Sequence, residues 1–198
     1  MKILGLSGSL RRDSHNTRLL RAAGSLLPEG TELAVFDRLG EIPPFNEDDE
    51  HTPPAAVAAL KEAIAAADGL LVATPEYNHS IPGVLKNALD WVSRPVAETP
   101  LRGKPAAVIG ASTSLFGAVW AQAETRKVLG ATGAKAIDRE LPVAQADEAL
   151  GADGLPLEPD ARESLQATLD ELVELARANV AAPAPVPAGE SAAERLAA

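Results

Sequence analysis

The feature that most limits the possible folds of this chain is a repeated exchange of short apolar runs with amphipathic segments. Two of the apolar runs, residues 69–73 and 106–111, show no alternation of polar and apolar side chains. Such runs are typical of strands in a parallel sheet, which are covered on both faces. Segments with helical spacing follow them, and the pair of elements repeats about five times. Because right-handed crossovers leave few ways to bury these elements, we expect an α/β fold with helices on both faces of a parallel sheet.

The individual elements are placed by apolar spacing and by the prolines and glycines that bound them. The strands are predicted at residues 2–6, 32–39, 69–73, 106–111 and 135–141. The helices are predicted at residues 17–27, 55–67, 82–92, 116–129 and 160–180. The stretch 41–54 contains four prolines and a run of acids, which is typical of an exposed loop. The whole predicts a doubly wound, five-stranded parallel sheet in the order 2-1-3-4-5.

Length and composition bound the domain organisation. A chain of 198 residues with 46% hydrophobic and 23% charged residues is long enough for one well-buried domain and short for two. We therefore expect one domain over residues 1–180. Residues 181–198 are mostly alanine and proline, whose side chains bury too little apolar area to offset the entropy of ordering. This segment is predicted to be a disordered tail.

Charge and residue content disfavour several classes of function. The formal net charge of -10 would repel nucleic acid, whose capture depends on many lysine and arginine contacts. With no cysteine, thiolate chemistry and cysteine-ligated metals are excluded, so redox chemistry would need a bound cofactor. The three histidines lack metal-binding spacing, and no metal site is expected. No apolar stretch approaches the roughly 20 residues of a membrane span, so a cytoplasmic location without membrane contact is expected.

Polar side chains crowd the turn between the first strand and the first helix, which reads SGSLRRDSHNTRLL from residue 7 to residue 20. In an open parallel sheet, ligands bind beyond the carboxyl ends of the strands. A helix start offers free backbone N–H groups and a partial positive charge, which stabilise an anion. The candidate side-chain donors are Ser9, Arg11, Ser14, Asn16 and Thr17. The turn predicts a phosphate site, with the alternative that Ser14 or Asn16 is only a helix N-cap and the arginines are solvated.

Three common motifs do not match this turn. A Walker loop needs a lysine that is missing here, and the dinucleotide fingerprint G-x-G-x-x-G is also missing. The stretch GLSGS, residues 5–9, lacks the second glycine of the nucleophile elbow G-x-S-x-G. ATP hydrolysis, Rossmann-type dinucleotide binding and serine hydrolase chemistry are therefore disfavoured.

A second polar turn follows the third strand, in the stretch TPEYNHSIPGVLKNALDW at residues 74–91. Its backbone groups, the Tyr77 ring and the Asn78 amide suit the hydrogen-bonding edge of a flat heterocycle. Adjacent strands lie about 4.8 Å apart, so the ends of strands one, three and four span roughly 10 Å. We therefore expect a phosphate at one end of the site and a ring at the other. The polar residues 112–114 after the fourth strand could add donors, and turn chemistry explains them about equally well.

Together, GSLRRDSHNTRLL and PEYNHSIPGVLKNALDW closely resemble the motifs of the NADPH-dependent FMN reductase family. These are flavodoxin-like flavoproteins that include quinone, chromate and azo-dye reductases, and the resemblance covers residues 1 to about 143. It implies a flavodoxin-like fold, FMN as the cofactor, and NADPH or NADH as the electron donor. It also implies phosphate contacts from Ser9, Arg11, Ser14, Asn16 and Thr17. The ring would be lined by Pro75, Glu76, Tyr77 and Asn78, with Ser112 nearby.

The expected function is that of an NAD(P)H-dependent, FMN-containing oxidoreductase that passes hydride through FMN to quinones or other small oxidised acceptors. No catalytic acid, base or nucleophile is expected, because hydride transfer is the cofactor's own chemistry. The resemblance also implies a homodimer or homotetramer, with Trp91 and Trp120 as packing or subunit-contact residues. Two alternatives stay open. One is a flavodoxin-type electron carrier, which the missing Thr-rich phosphate loop disfavours, and the other is a non-catalytic flavin-binding protein.

Overall fold

The computed structural model describes residues 1–181, which contain six strands and six α-helices. Strands and helices alternate as far as α4, after which two strands and then two helices follow. The strands are β1 (Lys2–Ser7), β2 (Glu32–Phe36), β3 (Gly69–Thr74), β4 (Pro105–Ala111), β5 (Lys135–Ala136) and β6 (Pro142–Val143). The helices are α1 (His15–Ala23), α2 (Ala55–Ala65), α3 (Gly83–Val92), α4 (Val119–Ala131), α5 (Ala146–Ala149) and α6 (Pro159–Ala181). Apart from Ala181, the predicted tail lies outside the described residues. None of these helices is long and apolar enough to cross a membrane.

The strands form one parallel sheet in the order β2-β1-β3-β4-β5, as the sequence predicts. The central strands are in register, so that Leu6 of β1 lies between Phe36 of β2 and Val72 of β3. The chain moves from β1 outward to β2 and then crosses back to β3 on the other side of β1, so the carboxyl ends of β1 and β3 form the switch point of the sheet. The fold is therefore flavodoxin-like, with a ligand crevice expected at that edge.

The edge of the sheet beside β4 differs from the prediction of one strand over residues 135–141. Two short strands, β5 and β6, pair with opposite ends of β4 instead. The charged residues 138–140 between them are exposed, whereas the flanking Ile137 and Leu141 are buried. The prediction of a continuous strand was wrong because burying these three charged side chains would cost free energy. The chain stops pairing with β4 at residues 138–140, so they stay hydrated.

Each face of the sheet has its own apolar layer. In β3, Leu70 and Val72 pack in the layer that holds α2 and α3. Leu71 and Ala73 point to the opposite face and pack in the layer that holds α1 and α6. All four side chains are fully buried, which explains why this run shows no polar alternation.

Trp91 anchors the proline-rich loop to α3. Its side chain is only 1% exposed, and its Nε1 donates a hydrogen bond to the Pro43 carbonyl at 2.8 Å. Asn87, one turn earlier, donates to the same carbonyl and accepts from the Phe45 N–H, both at 2.8 Å. Trp91 is therefore a packing residue. The carbonyl of Pro43 is satisfied by two donors, so the loop is held close to α3.

Candidate functional site

A crevice of about 370 Å³ opens at the carboxyl ends of β1, β3 and β4, at the switch point of the sheet. Eight of the ten predicted site residues line it, namely Ser9, Arg11, Ser14, Asn16, Pro75, Glu76, Tyr77 and Ser112. The other two lie at its ends. Thr17 lines a smaller cavity beside β2, and Asn78 lines a third cavity beside α4. The fold thus brings the two polar turns to one place, as the strand order requires.

The first turn is organised by the start of α1. Ser14 is the N-cap, and its Oγ accepts a hydrogen bond from the Thr17 N–H at 3.2 Å. The Thr17 hydroxyl is 2.7 Å from the Ser7 hydroxyl at the end of β1. His15 and Asn16 are the first two helical residues, so their N–H groups have no acceptor within the helix. These two groups can bind an anion.

Asn16 joins the two sides of the crevice. Its Nδ2 donates to the Ala111 carbonyl at 2.8 Å, and its Oδ1 accepts from the Ala111 N–H at 2.9 Å. The residue is 3% exposed. Because the Oδ1 and one Nδ2–H are used by the last residue of β4, Asn16 has its backbone N–H and its second Nδ2–H left for an anion. No pattern in the sequence indicates this bond, which spans 95 residues.

Positive charge surrounds the start of α1. Burial lowers the pKa of His15, Arg11 and Arg18 lower it further, and Asp147 acts in the opposite direction. Arg11 itself is exposed and forms no ion pair within residues 1–181. His15 Nδ1 is buried without a hydrogen-bond partner in this part of the chain. The environment therefore favours an anionic ligand over a cation.

Glu76, in the second turn, caps α4. Its Oε2 accepts hydrogen bonds from the N–H groups of Trp120 and Ala121 at 3.1 and 3.2 Å. The residue before this helix, Ala118, is left-handed with a φ of 63° and supplies no side-chain cap. A carboxylate at this position is stabilised by the helix dipole. Glu76 thus fixes the second turn to α4, a role that the sequence did not indicate.

The second turn is a tight hairpin that a second carboxylate holds from outside. Tyr77 and Ser80 exchange backbone hydrogen bonds at 3.2 Å. Asn78 and His79 between them are both left-handed, with φ values of 53° and 60°. Turns of this kind favour Asn-Gly, so a histidine at the second position costs conformational energy. Glu124 of α4 offsets this cost, because its Oε2 accepts hydrogen bonds from the Ser80 hydroxyl and the Ile81 N–H.

The contact between Glu124 and the hairpin can be tested by measuring stability as a function of pH. The hydrogen bonds from Ser80 and from the Ile81 N–H hold the pKa of Glu124 below its usual value of 4.5. Because the pKa of Glu124 is lower in the folded than in the unfolded protein, the ionised carboxylate stabilises the fold at pH values above the pKa of the unfolded state. This stabilisation is lost as the pH falls through the pKa of the folded state. We expect Glu124→Gln to melt at a lower temperature than the wild type at pH 7, with the difference shrinking below roughly pH 4.

Glu163→Gln is the matched control for that experiment, since Glu163 is exposed on α6. Thermal melts of the three proteins between pH 3 and pH 7, read by circular dichroism, make the comparison. A Glu124→Gln difference that stays constant over this range would show that the charge of Glu124 does not contribute.

An aromatic patch extends the crevice toward α4. We define it by His79, Leu115, Phe116 and Trp120, which line a cavity of about 620 Å³. The Trp120 ring meets the rings of His79 and Phe116 edge to face, with centroids 5.1 and 4.9 Å apart. Phe116 is 56% exposed and Trp120 is 42% exposed. Contiguous exposed apolar side chains of this size are typical of a contact surface.

Comparison with known proteins agrees with this architecture. The sequence profile of the family described as NADPH-dependent FMN reductase matches residues 1–148. The NAD(P)H-dependent FMN reductase PA1204 of Pseudomonas aeruginosa is 45% identical over 174 residues, which are 87% of this chain and 93% of that protein. The 2-hydroxy-1,4-benzoquinone reductase of a Burkholderia species is 40% identical over 172 residues, which are 86% of this chain and 93% of that protein.

A solved structure has a similar fold. FerB, a flavoenzyme NAD(P)H:(acceptor) oxidoreductase from Paracoccus denitrificans, superposes with a TM-score of 0.78 at 35% identity. The match covers 90% of this chain and 98% of FerB. On both the sequence and the fold, the chain belongs to the NADPH-dependent FMN reductase family.

Proposed function

We propose that the protein is an NAD(P)H-dependent, FMN-containing oxidoreductase that reduces quinones or other small oxidised acceptors. The observation that carries the proposal is the crevice at the switch point, where the N-terminus of α1 and residues 75–77 line one cavity. Membership of the family supports FMN and NAD(P)H. The name of the Burkholderia relative supports a quinone as the acceptor.

The residues of the crevice fit FMN. At one end, the free N–H groups at the start of α1 and Arg11, which has no ion pair within residues 1–181, suit a phosphate, with the Ser9 hydroxyl beside them. The side chains of Ser14 and Asn16 set the shape of this turn through bonds to the backbone, and each keeps a donor, the Ser14 O–H and the second Asn16 Nδ2–H, for the phosphate. The Thr17 hydroxyl, paired with Ser7, lies on the far side of the phosphate turn.

The other end of the crevice suits a flat ring. Pro75, Glu76 and Tyr77 line it from β3, and Ser112 lines it from β4. The hairpin leaves the Tyr77 side chain exposed and keeps the adjacent Asn78 amide at the mouth of the site. We assign these five residues to the isoalloxazine ring. Their backbone groups and amide supply both donors and acceptors, which matches the edge of that ring.

The protein's own contribution is binding and orientation. Bound FMN supplies the redox chemistry, since it takes up hydride from a nicotinamide and passes two electrons to an acceptor. The start of α1 holds the phosphate, and the 75–78 turn holds the ring. Glu76 and Glu124 fix that turn to α4 from two sides, so the ring-binding surface is set before the cofactor arrives.

We also propose that a second copy of the chain covers the aromatic patch, in a homodimer or homotetramer. The exposure of Phe116 and Trp120 and their continuity with Leu115 support this assignment. We further propose that the protein is located in the cytoplasm.

Steady-state turnover tests the proposed function. The protein is loaded with FMN, and the oxidation of NADPH and of NADH is followed with and without benzoquinone. We expect quinone-dependent oxidation with a turnover number in the ordinary enzyme range of about 1 to 10³ per second, and none from protein freed of flavin. A flavodoxin-type carrier or a non-catalytic flavin-binding protein would hold FMN without oxidising either nucleotide. That outcome would reject the enzyme assignment.

A further inference from the structure

A second cavity lies beside the crevice on its β2 side, and its lining is basic. It measures about 210 Å³, and Arg11, Arg12 and Arg21 line it together with the hydroxyls of Ser9 and Thr17. We call it the basic cavity. Ser9 and Arg11 also line the crevice, so the two spaces adjoin. A ligand that lies along the edge of the sheet can therefore occupy both.

The geometry of α1 explains how Arg21 reaches this edge. Thr17 and Arg21 are one helical turn apart and share a face of α1. Long helical side chains lean toward the helix N-terminus, which here is the carboxyl edge of the sheet. The opposite wall is the end of β2, with Phe36 and the following Asp37. The basic cavity is thus a groove between α1 and β2.

Guanidinium groups outnumber carboxylates around this groove. Residues 11–21 include four arginines and one aspartate. Eight ion pairs occur within residues 1–181, and none of them involves Arg11, Arg12 or Arg21. A phosphate monoester carries about two negative charges near neutral pH and is assigned above to the start of α1 and Arg11. Arg12 and Arg21 are then left for a second anion.

The surroundings of the crevice favour a phosphorylated nucleoside as this second anion. If the nicotinamide ring of a donor stacks on the flavin in the crevice, its second nucleotide can extend along the edge of the sheet toward α4 or toward β2. Toward α4 the edge presents the aromatic patch, whose cavity is lined by the carboxylate of Glu76 and by no lysine or arginine. Toward β2 it presents the basic cavity, where Leu10, Phe36 and Leu39 add apolar surface beside the arginines. Of the two directions, the β2 side suits a phosphorylated nucleoside better, because its lining carries three arginines.

We propose that Arg12 and Arg21 bind the 2′-phosphate of NADPH, and that the basic cavity makes NADPH the preferred donor. This inference rests on the proposed function. Guanidinium groups bind phosphate in a bidentate manner, which suits this assignment. Asp37 is the opposing group, since a carboxylate there favours the free 2′-hydroxyl of NADH. When the ligand carries a phosphate dianion, its attraction to the two guanidinium groups exceeds its repulsion from the single Asp37 carboxylate.

The first test reads binding without turnover. The FMN-loaded protein is titrated with 2′,5′-ADP, which carries the 2′-phosphate, and with 5′-AMP, which lacks it. We expect Arg12→Gln and Arg21→Gln each to weaken 2′,5′-ADP about 10-fold or more, the usual effect of losing a hydrogen bond to a charged group. Binding of 5′-AMP should change less than about twofold. Arg177→Gln, on the exposed face of α6, is the matched control and should change neither.

The second test compares the two donors. The wild type should show a higher kcat/KM with NADPH than with NADH. Each of the two variants should lower the value for NADPH about 10-fold and leave that for NADH nearly unchanged. FMN affinity should be the same in all proteins. The preference for NADPH should therefore disappear without loss of the flavin.

Three results would overturn the inference. Active wild-type protein that uses NADH as well as or better than NADPH would do so and would leave the proposed function intact. Equal weakening of 2′,5′-ADP and 5′-AMP would show that the arginines do not read the 2′-phosphate. Loss of FMN affinity in the Arg12 and Arg21 variants, with an unchanged donor preference, would assign the basic cavity to the FMN phosphate. A lack of turnover with both donors would instead contradict the proposed function.

Discussion

Arg11→Ala should weaken FMN binding by about 10- to 150-fold, which corresponds to about 1.5 to 3 kcal/mol for a hydrogen bond to a charged group. Arg11 lines the crevice, is exposed and has no ion pair within the described part of the chain. Its removal therefore costs the fold little. Titration of flavin-free protein with FMN, followed by quenching of flavin fluorescence, measures the change.

Riboflavin serves as the control ligand for Arg11, because it has the same ring and lacks the phosphate. Its affinity should hardly change in Arg11→Ala. Arg177→Ala should bind both flavins like the wild type, since Arg177 lies on the exposed face of α6. Equal losses for FMN and riboflavin would mean that Arg11 acts through folding and not through the phosphate.

Asn16→Ala should destabilise the protein by about 2 to 4 kcal/mol, because it leaves two buried backbone groups of Ala111 without partners. Ala111 is 2% exposed, so these two groups are shielded from bulk water in the wild type. The bond also joins the phosphate turn to the end of β4, and both flavins should therefore lose affinity together. Urea unfolding measures the stability, and flavin titration measures the affinities.

Asn16→Asp separates the two consequences of that bond. The carboxylate can still accept from the Ala111 N–H, but it cannot donate to the Ala111 carbonyl. It also places a negative charge beside the phosphate turn. FMN should then lose more affinity than riboflavin, in contrast to Asn16→Ala. Unchanged stability in Asn16→Ala would contradict the structural role assigned to this amide.

The layout of the fold followed from patterns that the sequence carries locally. The run at residues 69–73 predicted a strand covered on both faces, and β3 is buried in two layers. The run at residues 135–141 looked similar in part, yet its three charged residues remain in water. The first helix begins at His15 and not at residue 17, because Ser14 caps it two residues earlier. Edges and caps depend on side-chain contacts that spacing alone does not show.

The sequence was enough to locate the site, but it did not show which contacts hold the site together. Polar turns after predicted strands identify the crevice, since carboxyl ends of parallel strands meet at one edge. The contacts that hold it together join residues far apart in the chain. Asn16 binds Ala111, Glu76 binds the start of α4, and Glu124 binds Ser80. No local pattern marks these pairs, because each partner is an ordinary polar or backbone group in its own segment.

A crystal structure of the protein with FMN tests the account most directly. We predict the phosphate at the start of α1, within hydrogen-bond distance of Arg11 and of the N–H groups of His15 and Asn16. The isoalloxazine ring should lie against the turn of residues 75–78. FMN bound elsewhere on the protein, or a crevice that stays empty in crystals grown with saturating FMN, would contradict the assignment of this crevice as the flavin site.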